Sequence, residues 1–336
     1  MKRFFFLAVA ATAMLAACNK TEIVPTGDPQ EISFVAANRN ATKAPVAGTT
    51  FLDGDNMSVA AYLVSGEGAS AGNFFTSTEF NKNGKYWTGG RYWPLSTSTI
   101  SFLAVTEKAG NVNVDNLGVT FDGPMASKAT AVLENNNVLN QNDVMYSAAQ
   151  ATHTQVNEYT AVPMVFKHAL SWINFSVKTN LKPEQATIKV NSIALNGACT
   201  DGTLTVTYSN YNVAETPSVS ASWAKATKKG SPLYVPAADG STEAGTQVLT
   251  TSDAPYGNGL LILPGNSADS FTINYTLDQG GASNTYTYTH DFDPDVDWSM
   301  AKKYTYNVAI NFTEIQVNPT VENWEVETAS EIELKK

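Results

Sequence analysis

The amino-acid sequence predicts an all-β protein built from two tandem β-sandwich domains. The chain contains many short runs rich in Val, Ile, Thr, Tyr and Phe, and Gly, Asn, Asp or Pro separates one run from the next. Sustained helical periodicity is scarce. The length of 336 residues is sufficient for two domains of ordinary size. We therefore expect strands almost throughout, with the first domain over residues 31–160 and the second over residues 161–336.

The N-terminus has the pattern of a lipoprotein signal peptide over residues 1–18. A positively charged start precedes an apolar run, Phe4 to Ala16, that is too short to span a bilayer comfortably. The run closes on LAAC, and small residues ahead of a cysteine fit the bacterial lipoprotein peptidase. We expect Cys18 to become the lipid-modified N-terminus and to anchor the protein in the outer membrane. The alternative is ordinary cleavage near the alanines, with Cys18 incidental.

Residues 19–30, NKTEIVPTGDPQ, predict a tether between the membrane and the folded body. They are polar and include two prolines. Once Cys18 carries lipid, Cys199 is the only thiol left, so the mature chain has no internal disulfide. Stability must therefore come from packed cores.

The charge balance argues against two classes of partner. Charged residues make up 15% of the chain, and the formal net charge is −10. This acidity disfavours nucleic acid or an anionic membrane surface as a partner, because both repel negative charge. We interpret it as a contribution to solubility.

Alternation of apolar and polar residues places the strands of the first domain. The run EISFVA puts Ile32 and Phe34 on one face. The runs MSVAAYLV and TISFLAV are more continuously apolar, which predicts strands deeper in a stack of sheets. The run KYWTGGRYWPL predicts a hairpin with Gly89 and Gly90 at the turn. Residues 108–160 are rich in Asn, Ser, Ala and Gln and predict long connections.

The second domain begins with the run VPMVFKHALSWINFSV. Most even positions from Val162 to Trp172 share one face, whereas Ile173 to Val177 continue the pattern on odd positions. A slip of one residue predicts a β-bulge near Trp172. The run YTYNVAINF alternates cleanly and predicts the last full strand.

No arrangement of reactive side chains predicts catalysis. His153, His168 and His290 are far apart in the sequence and have no recognised motif around them. His168 lies on the apolar face just described, so a hydrogen-bonded core histidine is favoured over a ligand or a catalytic base. The sequence has no nucleophile elbow and no HExxH motif. We expect no enzyme activity and no cofactor.

Two further motifs are explained most simply as loops. GEGASAG, residues 66–72, resembles a phosphate-binding glycine loop, but no helix-forming segment follows it, so a hairpin loop is favoured. In DFDPDVDW, four aspartates alternate as calcium ligands would: Asp291, Asp293, Asp295 and Asp297. The glycine and the closing glutamate of an EF-hand are missing, which favours a solvated acidic loop. We expect no metal site.

Clustered aromatic residues suggest a second possible function. Tyr86, Trp87, Tyr92 and Trp93 lie within one predicted hairpin, and flat aromatic faces suit stacking on sugars. In a sandwich, however, half of a strand's aromatic side chains belong to the core. Core packing is favoured, and the alternative is a surface glycan-binding lipoprotein that uses Trp87 and Trp93.

The lipobox, the tether and the order of several local sequences together resemble the fimbrillin-like, or Mfa-like, subunits of Bacteroidetes type V pili. The resemblance covers most of the mature chain. It rests on EISFVA, ATKA and FLDGDNMSVAAY; KYWTGGRYWP and ISFLAV; DVMYSA and VPMVFKHALSWINFSV; LLILPG; and WSMAKKYTYNVAINFTEIQVNPTVENWEVE. Each stretch is loose by itself, and their order is specific. The resemblance implies two transthyretin-like sandwiches and a structural role in a pilus at the cell surface.

The resemblance also implies a route of assembly. Such subunits are exported as lipoproteins, and a trypsin-like surface protease then cuts after a basic residue behind the first strand. The lipid and the strand leave together, and the groove accepts a strand from another subunit in a homo- or heteropolymer. Arg39 and Lys43 are the candidate cleavage positions, and Ile32 and Phe34 belong to the removable strand. The alternative is that both basic residues are solvated linker charges.

The C-terminal tail contains a possible donor strand, which is the strand given to a neighbouring subunit. Its apolar side chains fall on even positions: Trp324, Val326, Ile332 and Leu334. The alternative is that the tail is the closing strand of the second sandwich, because Pro319 starts an edge-like segment in either case. We expect other pilus subunits as partners and a fibre that supports adhesion.

Overall fold

The computed structural model describes most of the chain after residue 29. The described residues are 30–36, 51, 53–66, 68, 70–106, 111–115, 118–124, 143–154, 161–199, 201–216, 218–225, 232–238, 243–312 and 314–324, with backbone only for 111–115, 118–124, 201–203 and 225. Within these ranges every regular element is a strand, which confirms the predicted all-β fold. The same ranges contain no helix that is long and apolar enough to cross a membrane.

Several predicted site residues lie outside the described ranges. They are Cys18, Arg39, Lys43, Val326, Ile332 and Leu334. The signal peptide, the tether, the cleavage positions and most of the donor strand therefore stay predictions.

The described residues form 22 strands. The first ten are β1 (Glu31–Ala36), β2 (Asn56–Gly66), β3 (Gly72–Asn83), β4 (Tyr86–Tyr92), β5 (Ser98–Thr106), β6 (Asn111–Asp115), β7 (Gly118–Pro124), β8 (Met145–His153), β9 (Val162–Met164) and β10 (Lys167–His168). The other twelve are β11 (Ser171–Lys178), β12 (Thr187–Asn196), β13 (Asp201–Tyr208), β14 (Val219–Lys225), β15 (Leu233–Tyr234), β16 (Gln247–Val248), β17 (Ala254–Pro255), β18 (Leu260–Ile262), β19 (Ser270–Gln279), β20 (Ala282–Asp291), β21 (Lys302–Ile310) and β22 (Ile315–Asn323).

The first sheet has eight strands in the order β10-β8-β5-β2-β3-β4-β1-β9. Its two end strands, β9 and β10, are separated along the chain by only Val165 and Phe166. Three peptide steps span at most about 11 Å, so the sheet must curl until its ends meet. The curled sheet encloses the first hydrophobic core, whose largest buried side chains are Phe34, Phe80, Trp87, Phe102 and Phe166.

The strands β2 and β5 are buried on both faces, as their continuous apolar runs predict. All nine residues of β5 are buried. Their inner faces join the first core, whereas Ala60, Leu103 and Val105 on the outer faces pack against Leu204 and Val206 of β13. This outer layer is a four-stranded sheet in the order β14-β13-β7-β6.

The second core lies between two five-stranded sheets. One sheet has the order β17-β11-β21-β22, with β18 also on β11, and the other has the order β15-β12-β19-β20, with β16 also on β12. The core contains Phe175, Phe271, Trp298, Tyr306 and Ile310. The predicted alternation of β21 is confirmed, because Tyr304, Tyr306, Val308 and Ile310 all face this core. The prediction that it is the last full strand is wrong, since the nine-residue strand β22 follows it and Phe312 lies beyond β21 and is exposed.

The predicted β-bulge near Trp172 is wrong. The run that contains it forms three strands, with β9 and β10 in the first sheet and β11 in another. The chain changes sheets at Ala169 and Leu170, so the alternation starts afresh in β11. Ile173 and Phe175 are buried in the second core for this reason.

The predicted turn at Gly89 and Gly90 is also wrong. Both residues lie inside β4, and the hairpin turn is at Gly84 and Lys85. The hairpin loop predicted at residues 66–72 is confirmed, since β2 and β3 pair antiparallel on either side of it.

The domain boundary at residue 160 stays a prediction, and several pairings cross it. β9 and β10 follow residue 160 and complete the first sheet. β13 follows it as well and pairs with β7. Side chains also join the halves: Ser101 Oγ donates to the backbone oxygen of Tyr211 at 2.7 Å, and Gln150 Nε2 donates to that of Val213 at 2.7 Å.

Candidate functional site: the first strand and its groove

The first strand of the described chain lies inside the first sheet, between two strands that follow it much later in sequence. β1 pairs antiparallel with β4 and parallel with β9. Gln30 extends the pairing by one residue, because its carbonyl oxygen accepts from the Trp93 N–H at 2.9 Å. The pairing with β4 runs from Glu31 to Phe34 and the pairing with β9 from Phe34 to Ala36, so each edge of β1 is hydrogen-bonded over part of its length. The connection that follows Ala36 joins β1 covalently to the later strands of the sheet.

Ile32 and Phe34 are deeply buried, as their shared face predicts. Each is 0% exposed. The Phe34 ring packs edge-on against Phe80 at a centroid distance of 4.9 Å and against Phe102 at 5.1 Å. Burying a side chain of this size stabilises the fold by about 1.5–3 kcal/mol relative to leaving it exposed. Strand β1 thus supplies two of the apolar side chains that fill the first core.

A bulge in β4 adapts it to β1. Between the pairs Glu31↔Tyr92 and Ser33↔Thr88 the register shifts, so that β4 has extra residues opposite β1. Gly90 lies in this bulge with a φ of 65°, a conformation that glycine adopts without strain. Its N–H donates to Oε1 of Glu31 at 2.8 Å. The Glu31 carboxylate therefore accepts a hydrogen bond from the Gly90 backbone amide, which lies in the bulge and not in one of the β1–β4 residue pairs.

Gly89 brings β4 close to β3. A Cβ atom at this position would lie 2.7 Å from the backbone oxygen of Glu79 and 2.8 Å from Cγ of Phe80. Glycine is required here because the strands approach too closely for a side chain. The two glycines that suggest a turn in the sequence in fact shape the wall of the β1 groove.

Loss of β1 would leave a groove with two distinct properties. The facing edges of β4 and β9 would present unpaired N–H and C=O groups, which favour pairing with another strand. The floor would expose aromatic side chains that now contact Phe34, among them Phe80 and Phe102. Such a groove is suited to an extended segment with apolar side chains at alternate positions.

The aromatic residues of β4 and its flank divide between core and surface. Trp87 is 0% exposed and Trp93 is 8% exposed, whereas Tyr86 and Tyr92 are 37% and 50% exposed. The favoured interpretation of core packing is therefore correct for both tryptophans. The glycan-binding alternative required the faces of Trp87 and Trp93, and these faces are occupied by protein.

His168 is a buried core histidine with a carboxylate partner. Its Nδ1 and Oδ2 of Asp143 are joined by a hydrogen bond of 2.8 Å, and both side chains are almost fully buried. Burial raises the pKa of the Asp143 carboxyl, and the neighbouring His168 partly offsets this effect. Oδ1 of Asp143 and Nε2 of His168 have no hydrogen-bond partner among the described residues. A substrate has no access to this pair.

The other two histidines lie elsewhere. His153 stacks on Trp93 at 5.1 Å, and His290 packs on Phe271 at 5.0 Å. Burial lowers the pKa of both imidazoles. Each of the three histidines thus contacts a different set of side chains. In the part of the chain that the structure describes, no group of three or more His, Cys, Asp or Glu side chains has the arrangement of a metal site.

The C-terminal segment divides at Trp324. β22 pairs with β21 along its whole length, from Ile315 to Asn323, so this part closes the second sandwich. The Trp324 ring then stacks on His168 at 3.6 Å with an interplanar angle of 11°, and the backbone N–H of Trp324 donates to the Ala301 carbonyl oxygen at 3.0 Å. Trp324 is therefore engaged within its own chain. The remaining predicted donor residues lie outside the described ranges.

Three features of this region were not predicted from the sequence. They are the Asp143 partner of His168, the contact of Trp324 with His168 and the Glu31 contact with the β4 bulge. The sequence signal for the bulge was the dipeptide Gly89–Gly90 in β4, which predicted a turn instead. The two other contacts join residues that are far apart in sequence, and no local pattern marks them.

The fold and the site define an all-β protein whose first strand completes a core while remaining attached by a single connection. A family model for fimbrillin-like proteins matches residues 42–324, and the chain belongs to this family. No curated protein matches the chain. Membership supports a structural role in a pilus and interaction with other pilus subunits at the cell surface.

Three solved structures that the chain resembles come from Bacteroides and Porphyromonas species. A cell-adhesion protein from Bacteroides uniformis is 16% identical, with 90% of this chain and 100% of that chain covered and a TM-score of 0.48. A fimbrial protein from Bacteroides vulgatus is 15% identical, with coverage of 87% and 99% and a TM-score of 0.48. The fimbrial anchor protein Mfa2 from Porphyromonas gingivalis is 11% identical, with coverage of 90% and 100% and a TM-score of 0.33.

Proposed function

We propose that the protein is a structural pilus subunit that is exported as a lipoprotein through Cys18 and assembled by strand exchange. A trypsin-like surface protease cuts after Arg39 or Lys43, and β1 then leaves the first sheet. A strand from another subunit fills the groove and extends the fibre, which supports adhesion. The role is structural rather than enzymatic.

The observation that carries this proposal is the position of β1. Ile32 and Phe34 are fully buried, and β1 is hydrogen-bonded on both edges, yet it precedes every other described strand. A cut behind it therefore separates a core strand from the chain without interrupting any other described strand. Arg39 follows the end of β1 by only three residues and Lys43 by seven. A cut after either basic residue would thus leave only a few linker residues attached to the C-terminal end of β1.

Strand β1 is needed until export ends because an open groove would bind other strands too early. A first sheet without β1 exposes two strand edges and an apolar floor, and it would pair with any suitable strand during folding. Strand β1 occupies the groove within the same molecule and prevents early polymerisation. Proteolysis then makes strand exchange favourable, because a cleaved β1 is no longer held at high effective concentration.

The donor in this scheme is the part of the tail that follows Trp324. Val326, Ile332 and Leu334 remain available for the role, whereas Trp324 fixes the start of the tail at His168. The tail of one subunit would reach the groove of the next.

The test is controlled proteolysis of the purified chain that begins at Asn19. Arginine-specific and lysine-specific proteases are applied in parallel, the new N-terminus is sequenced, and the size distribution is measured. We expect a cut after Arg39 or Lys43, loss of the β1 peptide, and ladders or filaments. The double variant Arg39→Gln, Lys43→Gln should resist this cut and stay monomeric.

Lys20 provides an internal control. A cut at Lys20 removes only part of the tether and leaves β1 attached, so it should produce no filaments. A chain that is cut behind β1, keeps the β1 peptide and remains monomeric would contradict the proposed assembly.

A further inference from the structure

Strand β20 (Ala282–Asp291) is the longest edge strand among the described residues. It lies at the end of the sheet β15-β12-β19-β20 and pairs with β19 on one side. Within the described part of the chain, no strand pairs with its outer side. Alternate residues of β20 therefore direct their backbone N–H and C=O groups outward, and most of its side chains are exposed. An edge of this kind favours pairing with a further strand.

The composition of β20 lacks the features that usually protect an edge. Proteins protect edge strands with proline, with charged side chains or with bulges. Strand β20 has no proline, no lysine and no register shift against β19, and its one acidic residue, Asp291, is at its end. The other long edge strand, β22, contains Pro319 in its middle and Glu322, which forms an ion pair with Lys303 at 2.9 Å. Strand β20 is therefore better suited to pairing than β22.

The middle of β20 reads the same in both directions. Residues 285–289 are TYTYT, with Thr287 at the centre. If two copies of β20 pair antiparallel about Thr287, each residue of this segment lies opposite a residue of the same type. The pairs are Thr287 with Thr287, Tyr286 with Tyr288, and Thr285 with Thr289. A two-fold interface requires a self-complementary surface of this kind.

On the polar face of the sheet, threonine pairs already join β19 to β20. The hydroxyl oxygens of Thr276 and Thr285 are 3.2 Å apart, as are those of Thr272 and Thr289. Because a hydroxyl donates once and accepts twice, Thr285 and Thr289 can each make another hydrogen bond. In the two-fold pair, Thr285 of one copy would meet Thr289 of the other. A row of threonines would then continue across four strands.

On the opposite face, tyrosines form the corresponding row. Tyr275 of β19 stacks on Tyr286 of β20, with ring centroids 5.5 Å apart and an interplanar angle of 25°. The Tyr286 side chain is nevertheless 43% exposed. Its exposed surface would pack on Tyr288 of the second copy, because directly opposite residues have Cβ atoms about 4.5–5.5 Å apart. Aromatic pairs of this kind stabilise antiparallel strands.

The ends of the strand are compatible with the same register. Asn284 would lie opposite His290, and Ser283 would lie opposite Asp291. Each pair joins a possible donor to an acceptor, and neither joins two like charges. A register centred on Tyr286 instead would place Asn284 opposite a tyrosine. The register centred on Thr287 is the one that pairs both tyrosines with tyrosines and all three threonines with threonines.

We propose that β20 of a second copy of this chain pairs antiparallel with β20, with the two-fold axis at Thr287. The contact does not require β1 to leave its groove. A single strand pair is smaller than the interface of about 1,200–2,000 Å² in standard complexes, so the association should be weak and reversible. In a fibre, many such contacts would act together and join shafts side by side. Only this last consequence rests on the proposed function.

Disulfide trapping tests the contact and its register. The chain begins at Asn19, is uncleavable through Arg39→Gln and Lys43→Gln, and carries Cys199→Ala. Thr287→Cys places a thiol on the proposed axis, where the two Cα atoms would lie about 4.5–5.5 Å apart, within the range that a disulfide spans. We expect a homodimer linked from position 287 to position 287 under mild oxidation, identified by mass spectrometry.

Thr285→Cys in the same chain is the matched control on the same face. In the proposed register the two copies of residue 285 are four residues apart, about 13 Å along the strand, so the homodimer yield should be at least about tenfold lower. An equal mixture of Thr285→Cys and Thr289→Cys chains should instead give mainly mixed dimers, because these residues lie opposite each other. Equal homodimer yields at positions 285 and 287, or no linkage at position 287, overturn the proposal.

Sedimentation velocity measures the association without a crosslink. The uncleavable chain is studied over a concentration series at about 0.15 M salt, where the Debye length is about 8 Å. Thr287→Lys places two ammonium groups opposite each other and should weaken dimerisation at least tenfold. Val321→Lys adds the same charge to the exposed edge strand β22 and should leave dimerisation unchanged.

Equal weakening by both variants, or none by Thr287→Lys, contradicts the assigned edge. The trapping yields decide the question if only monomer is seen in sedimentation. Because the chain in these experiments is uncleavable, failure of the β20 contact leaves strand exchange at β1 untouched. Failure of strand exchange likewise leaves the β20 contact standing.

Discussion

The first and last described strands of this protein occupy opposite environments. β1 is internal to the first sheet, and Ile32, Ser33 and Phe34 are buried. β22 is the edge of its sheet, and most of its residues are exposed, with Val321 at 58% exposure. Loss of β22 would remove an edge strand whose Ile315 and Val317 are only partly buried against the second core, whereas loss of β1 would remove the fully buried Ile32 and Phe34 from inside a sheet. Loss of an internal strand leaves a groove with two strand edges, and loss of an edge strand leaves only one.

The largest expected effect of a single substitution is at the core of β1. Phe34→Ala should lower the free energy of unfolding by about 3–5 kcal/mol, because it removes the ring contacts with Phe80 and Phe102 and leaves a cavity. Denaturant unfolding of the uncleaved chain measures this loss. Val321→Ala in β22 is the matched control and should change stability by no more than about 0.5 kcal/mol. Similar losses at both positions would remove the contrast between the two strands.

The next effect concerns the wall of the groove. Gly89→Ala should destabilise the fold by about 1–3 kcal/mol, since the added Cβ would lie 2.7 Å from the Glu79 carbonyl oxygen. Gly72→Ala at the start of β3 is the control, because nothing lies within 4 Å of a Cβ there. Thermal unfolding compares the two variants. A Gly89→Ala protein as stable as the control would mean that β4 does not approach β3 so closely.

Trp324 follows the end of β22 and contacts His168 and Trp172. Trp324→Ala should cost about 1–2 kcal/mol, because its ring is only partly buried but stacks on His168 and packs near Trp172. Trp324→Phe should recover part of the loss by keeping an aromatic ring. Fluorescence-detected unfolding measures both changes. No loss in the alanine variant would indicate that the tail is not fixed at this residue.

The smallest effect is a pH dependence at Asp143. Burial raises the pKa of this carboxyl in the folded state. Its contribution to the free energy of unfolding is therefore fully present below the ordinary carboxyl pKa and decreases as pH rises through the raised value. Asp143→Asn, which keeps an acceptor for His168, should lack this decrease. Melting temperatures of both proteins from pH 3.5 to 8 test the sign, and a wild-type advantage that grows with pH would contradict it.

The local pattern of the sequence predicts strands where apolar and polar residues alternate clearly, but it missed β6, β7 and β8, which lie in the Asn-, Ser- and Ala-rich residues 108–160 that predicted long connections. Alternation identified the buried face of β1 and of β21, and continuous apolar runs identified β2 and β5 as buried on both faces. The same pattern failed at Trp172, since a change of sheet and a bulge both shift the alternation by one residue. It failed at Gly89 and Gly90 because glycine permits a turn, a bulge and a close approach of strands equally well.

The candidate site was only partly predictable for a related reason. The side chains of β1 follow a local rule, so the shared buried face of Ile32 and Phe34 was predicted correctly. The Asp143–His168 pair and the packing of Trp324 depend on which strands meet in three dimensions. A single sequence contains no direct signal for such contacts.

In the proposed assembly, β1 is a removable strand whose groove accepts a strand of another subunit. The most direct measurement follows filament growth of the cleaved chain with and without an excess of a synthetic β1 peptide, residues 30–37. A peptide with Ile32→Asp and Phe34→Asp is the control. We expect the native peptide to refill the groove and stop growth, and the control peptide to have no effect. Filaments that grow equally in the presence of both peptides would contradict the claim.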